Sequence, residues 1–251
     1  MKSLRKLNIY MGAAHGIQAL ALILLSSDFT RSITTSFLKF DPATQTLVSD
    51  SFEVFDFTFV YGVAGFSLLS MLFHFGIATI WYDKYKSGIK KGINKYRWYE
   101  YSLSASLMIV LIGILSGIFD LSTLLLMFGV TAIMNLMGLL MEVHNQTTKK
   151  VNWLSYNIGL LAGALPWVVI AIYFWASEQQ ADVGAGIPDF VYFIWISIFL
   201  FFNSFALNMY LQYKKIGKWK DYVFGEKVYI WLSLFAKGAL IWQIYGGTLQ
   251  P

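Results

Sequence analysis

Apolar residues gather along this chain into seven long runs, at 7–26, 54–80, 95–118, 121–141, 152–176, 189–212 and 227–247, separated by polar connections. A helix rises 1.5 Å per residue, so about 20 residues cross the ~30 Å hydrocarbon layer of a bilayer. Each run is therefore predicted to be a membrane-spanning helix. Several contain glycine and one contains Pro166, which membrane helices tolerate because their neighbours satisfy the freed backbone groups. The first run follows Lys2, Arg5 and Lys6 as a secretion signal would, but its core is too long. It also holds His15 and Gln18 and lacks a small-residue cleavage site, so it reads as a retained helix.

The one long connection, 27–53, has a different pattern. Its segments 32–40 and 46–52 alternate apolar and polar side chains around Asp41, Pro42, Ala43 and Thr44, residues with turn chemistry. This predicts a β-hairpin lying on the outer face of the membrane. No repeat, low-complexity tract or second domain interrupts 1–251, which reads as a single all-α membrane domain, a seven-transmembrane-helix bundle.

Composition agrees. The chain is 57% apolar and only 13% charged, with a mean hydropathy of +0.57, whereas soluble domains carry about 25% charged residues. A soluble enzyme, a disordered chain and a disulfide scaffold are excluded, and no enzymatic activity is expected. There is no cysteine. The net charge of +5 points to membrane orientation rather than to nucleic acid. Lys2, Arg5, Lys6, Lys84, Lys86, Lys90, Lys91, Lys95, Arg97, Lys149, Lys150, Lys214, Lys215, Lys218, Lys220 and Lys227 fall on one side of the seven spans; only Arg31 and Lys39 fall on the other. Basic connections stay cytoplasmic, so the N-terminus is predicted inside and the C-terminus outside.

One cation belongs to neither set. Lys237 lies about ten residues from either end of the seventh span, roughly 15 Å deep, too far for comfortable snorkelling. A lysine that must shed its charge, or build it into something else, suits Schiff-base formation; a plain ion pair holding helices together is the alternative. The carboxylates show a matching exception. Asp28, Asp41, Asp50, Glu53, Asp56, Asp83, Asp120, Glu142, Glu178, Asp182, Asp189, Asp221 and Glu226 read as loop or helix-end residues, whereas Glu100 lies inside the third span. Spans three and seven run in the same direction, and helical side chains lean toward the N-terminus. The Lys237 nitrogen and the Glu100 carboxylate are thus predicted to meet at one depth and pair, with Arg97 closing the cytoplasmic side. Ser233, one turn before Lys237, is placed to bond its nitrogen. His15 and His74 are expected in a polar cluster near Glu100, and without a third ligand no metal is expected. Met134 and Gly138, four residues apart on the fourth span, either wall a flat ligand or let helices pack closely.

Seven helices, a lysine midway along the last and a carboxylate on the third resemble the microbial rhodopsins. The N-inside orientation is similar to that of the heliorhodopsins in particular. So are the motifs at 97–104, Arg-Trp-Tyr-Glu-Tyr-Ser-Leu-Ser, and at 221–237, from Asp221 through Glu226 and Ser233 to Lys237. This resemblance extends over the whole chain. It implies all-trans retinal in the dark, bound covalently to Lys237 as a protonated Schiff base, with Glu100 as counterion. Ser233 stands where pumping relatives keep a second carboxylate. Ser104, Met108, Thr131, Met134 and Gly138 are implied as chromophore-wall residues, and His15, His74 and Arg97 as the cytoplasmic polar cluster. The resemblance further implies a plasma-membrane photoreceptor, a homodimer and a cytoplasmic signalling partner. Helix six departs from the pumping pattern, with Pro188 at its start and no proline inside. A light-driven proton transporter or channel is the second reading, and a non-photic transporter or structural bundle the third.

Overall fold

The structure is a computed structural model and describes residues 1–180 and 188–251; Asp182 lies outside the described residues. Seven of its helices are long and apolar enough to cross a membrane. In chain order the elements are α1 (Lys2–Leu25), β1 (Thr30–Asp41), β2 (Thr46–Thr58), α2 (Phe59–Ala78), α3 (Tyr82–Lys90), α4 (Lys95–Leu115), α5 (Leu121–His144), α6 (Leu154–Gln180), α7 (Asp189–Tyr213) and α8 (Tyr222–Ile244), the last continuing into a π-helical turn at Tyr245–Leu249.

Helices pack in a ring: α1 on α2, α2 on α4, α4 on α5, α5 on α6, α7 on α8, and α8 back on α1. Between α6 and α7 the ring closes through large aromatic side chains. Trp167 packs edge-on against Phe199 and Phe202 at 5.3 and 5.4 Å, and Phe174 against Trp195 at 5.6 Å. Bulky rings keep two helices further apart than small residues would.

The strands differ in extent from the sequence expectation. They pair antiparallel from Thr30 opposite Thr58 to Asp41 opposite Thr46, with a bulge at Ile33 and Thr34. The second strand absorbs 54–58, so α2 begins at Phe59 rather than at 54. Val54, Phe55, Phe57 and Thr58 have β-branched or aromatic side chains, which favour a strand where partner hydrogen bonds exist. At the tip, Asp41 accepts from the Ala43 amide at 2.9 Å and from the Thr44 hydroxyl at 2.8 Å, a turn built by an aspartate on its own backbone. At the base, the Thr34 amide donates to the Phe119 carbonyl at 2.9 Å, stitching the sheet to the α4–α5 turn. The short α3 buries Tyr85 and Ile89 and stands in what had read as a plain polar connection.

At the ends of α4 and α5 the local chemistry is explicit. Gly117, at φ +91°, takes the left-handed conformation that ends a helix cheaply. Three residues later Asp120 caps α5, accepting from the Thr123 amide at 2.8 Å and its hydroxyl at 3.0 Å. Seven spans therefore leave the two termini at opposite ends of the bundle. One end carries the lysine-rich connections and the other the sheet.

Candidate functional site

Lys237 is 3% exposed and Glu100 5%, both deep between α1, α2, α4 and α8. The Lys237 ammonium donates to Glu100 Oε1 at 2.8 Å and to Ser233 Oγ at 2.9 Å. Ser70, on α2, adds a third contact, its hydroxyl donating to the same Glu100 oxygen at 2.7 Å. The Tyr101 ring lies 5.2 Å from the ammonium, a cation–π distance. A charge in hydrocarbon is costly, and a buried pair survives only when its remaining lone pairs are also satisfied. Ser70 and Ser233 each add one such hydrogen bond, Ser70 to the carboxylate and Ser233 to the ammonium.

His15 and His74 stack at 5.6 Å on α1 and α2, and His74 Nδ1 lies 2.7 Å from Asn8 Oδ1. Both ring nitrogens of His15 are buried without a hydrogen-bond partner. Arg97 does not join the histidines. A small cavity of about 20 Å³, lined by His74, Asn94, Arg97, Glu100 and Glu226 among others, separates them; it has room for about one water.

Arg97 belongs instead to a second buried cluster. Its guanidinium bonds Glu142 on α5 and Glu226 on α8. Glu142 also accepts from the Asn94 amide at 2.9 Å, the Trp98 indole at 2.7 Å and the Tyr222 hydroxyl at 2.8 Å. Glu226 accepts from the Asn94 side chain at 2.7 Å. Glu142 and Glu226 do lie near helix ends, as their sequence positions imply, but those ends do not face water. Both are buried, at 1% and 2% exposure, because α3 and the start of α4 fold over the end of the bundle. Span-end position alone carries no signal for that burial. Ser70, Asn8, Trp98 and Tyr101 were likewise missed, since a serine or aromatic in a membrane helix is unremarkable until its neighbours are known.

Beside Lys237 opens a cavity of about 50 Å³ lined by Tyr101, Ser104, Ala105, Met108, Met134, Asn135, Phe202, Phe205, Ser233 and Ala236. A larger one of about 210 Å³ shares Tyr101, Met134, Asn135, Phe202 and Phe205 with it, and extends between α5, α6 and α7 past Trp98, Gly138, Gly163 and Trp167. The larger space lies where the small residues Gly159, Gly163, Ala164 and Ala206 meet the aromatic rings of Trp167, Phe199 and Phe202. Ser104, Met108, Met134, Gly138 and Ser233 thus line one or other cavity. Thr131 does not; it is buried one turn away, its hydroxyl without a partner. Gly138 makes its space for a protein side chain, since a Cβ there would overlap the Trp98 indole.

An amine held by a carboxylate at the head of an elongated, apolar, partly aromatic slot fits a long hydrophobic carbonyl compound. A buried amine can condense with a carbonyl group, and an apolar slot favours a long apolar body by dispersion contact.

Comparison with known proteins bears on this geometry. The fold is similar to the crystal structure of a light-driven proton pump from Leptosphaeria maculans, with a TM-score of 0.67 over 97% of this chain and 93% of that one, at 13% sequence identity. At that identity the likeness is one of fold. No curated protein matches the chain. The heliorhodopsin family model matches residues 4–249, nearly the whole length, and this transmembrane chain belongs to the heliorhodopsin family.

Proposed function

We propose that the protein senses light through a retinal joined to Lys237 as a protonated Schiff base, all-trans in the dark, without pumping ions efficiently. Family membership implies the retinal. The observation that carries the attachment site is the buried Lys237–Glu100 pair, 2.8 Å apart, opening onto an apolar slot. Bound there, retinal supplies the visible absorption and the double-bond isomerisation. Lys237 anchors it, and Glu100 balances the positive charge. Ser233 and Ser70 hold nitrogen and counterion in place. Tyr101, Met108, Met134 and Phe205 exclude water from the polyene, Ser104 and Gly138 line the space further along, and Thr131 stands one turn behind that wall.

Orientation follows from the charges, with the lysine-rich end and N-terminus cytoplasmic and the sheet outside; the plasma membrane as location rests on the family resemblance. His15, His74, Arg97 and Glu100 then all lie on the cytoplasmic side of Lys237. Toward the outer end the buried side chains include Leu111, Ile112, Leu240, Ile241 and Ile244, and Ser197 and Gln243 bond each other at 2.9 Å. A pump needs proton carriers on both sides of the nitrogen, and these residues carry none. A receptor acting on a cytoplasmic partner fits this asymmetry better than a proton transporter or channel, and the family resemblance alone suggests that it works as a homodimer.

The test is direct. Membranes containing the chain should gain a visible absorption band when all-trans retinal is added; no band would leave a non-photic bundle. Liposomes containing the pigment should show no sustained, protonophore-sensitive pH change under illumination. A sustained one would replace the receptor with a light-driven transporter.

A further inference from the structure

The Arg97 cluster takes no part in holding the charge at Lys237, yet one side chain ties it to the larger cavity. The indole of Trp98 lines that cavity alongside Met134, Gly138 and Met209. Its Nε1 donates to Glu142 Oε2 at 2.7 Å. On its other side it packs edge-on against Tyr229 at 5.8 Å, whose ring carries the Arg97 guanidinium at 3.9 Å. Among the described residues, Trp98 alone both lines this cavity and hydrogen-bonds a carboxylate of the cluster.

Gly138 shows how little freedom the indole has. A Cβ at that position would overlap three atoms of its six-membered ring, so the ring lies against the α5 backbone with no room to retreat that way. Close-packed interiors transmit displacement rather than absorb it. A wall that shifts the indole must lengthen its bond to Glu142. Arg97 is shared between Glu142 and Glu226, so a weakened donor at Glu142 shifts the guanidinium's balance between the two carboxylates. Those carboxylates come from α5 and α8, and Arg97 from α4; the rearrangement therefore reaches three helices at the lysine-rich end.

We infer that Trp98 is the positioning residue that carries a change in the larger cavity to the Arg97–Glu142–Glu226 cluster. This rests on the cavity being the chromophore site. Trp98 touches no reacting atom; it acts through Glu142.

The readout is the indole N–H hydrogen bond, followed by ultraviolet resonance Raman as the illuminated-minus-dark difference of the retinal-loaded pigment. Illumination should shift the N–H marker of one indole, and the shift should be lost in Trp98→Phe, which keeps an aromatic wall but has no donor. A carboxylate infrared difference band, lost in Glu142→Gln, should vanish in Trp98→Phe as well. Where Trp98→Phe does not accumulate, Gly138→Ala keeps the indole but pushes it off α5, and should alter both signals. A parent pigment with unchanged indole bands, or a Glu142 band that persists at full amplitude in Trp98→Phe, overturns the inference and leaves the retinal site standing. A parent that forms no pigment overturns both. A merely structural Trp98 would lower thermal stability when replaced and leave the carboxylate band intact.

Discussion

Lys237 and Glu100 each make the other's burial tolerable. Removing one partner of such a pair typically costs about 3–5 kcal/mol, because the other is left charged and unpaired. Glu100→Gln is gentler, since its amide oxygen can still accept from the lysine. In the retinal-loaded protein it should shift absorption to the red. The anion holds positive charge at the nitrogen in the ground state, while excitation moves that charge along the polyene. The variant should also bleach to a near-ultraviolet-absorbing form at a less alkaline pH than the parent, as less negative charge holds the proton. An unchanged spectrum and an unchanged bleaching midpoint would remove Glu100 from the counterion role. Both residues stood out in the sequence because each interrupts a long apolar run. Glu142 and Glu226 did not: a span end reads the same whether it meets water or lies beneath another helix. Only the packing of α3 and α4 over them makes the difference.

Among the elements, the α4–α5 turn shows how local rules set the bundle. Gly117 ends one helix and Asp120 starts the next. Asp120 lies outside the spans, and the Thr123 amide, its strongest partner, holds its carboxyl below the usual 3.8. A carboxyl lowered in the folded state stabilises above its unfolded value and loses that contribution as pH falls through the folded one. Asp120→Ala should therefore cost about 1 kcal/mol near neutral pH, seen as a lower melting temperature. The gap from the parent should narrow in acid below the ordinary aspartate range; a gap independent of pH would mean the cap works through packing. The length of the apolar runs and turn chemistry made most of these elements legible. The start of α2 was misplaced because Val54–Thr58 suits a strand or a helix equally until β1 pairs with it. The short α3 was missed because its apolar face is only Tyr85 and Ile89.

For the whole molecule, the distribution of basic residues makes a claim that no side-chain contact can test. The chain has no cysteine, so single cysteines report orientation cleanly. A membrane-impermeant maleimide should label Lys39→Cys in intact cells and Lys218→Cys only after lysis; the reverse would invert the bundle. Seven spans and a lysine at mid-depth were readable from hydropathy alone. The slot between α6 and α7 was not, because it depends on which aromatic rings happen to face each other. The most direct measurement is covalent. The retinal-loaded protein, reduced with borohydride to fix any imine, is digested and analysed by mass spectrometry. One retinyl group per chain on the peptide containing Lys237 is the predicted result. A reduced chain without added mass, or with the label on any other lysine, would contradict the account.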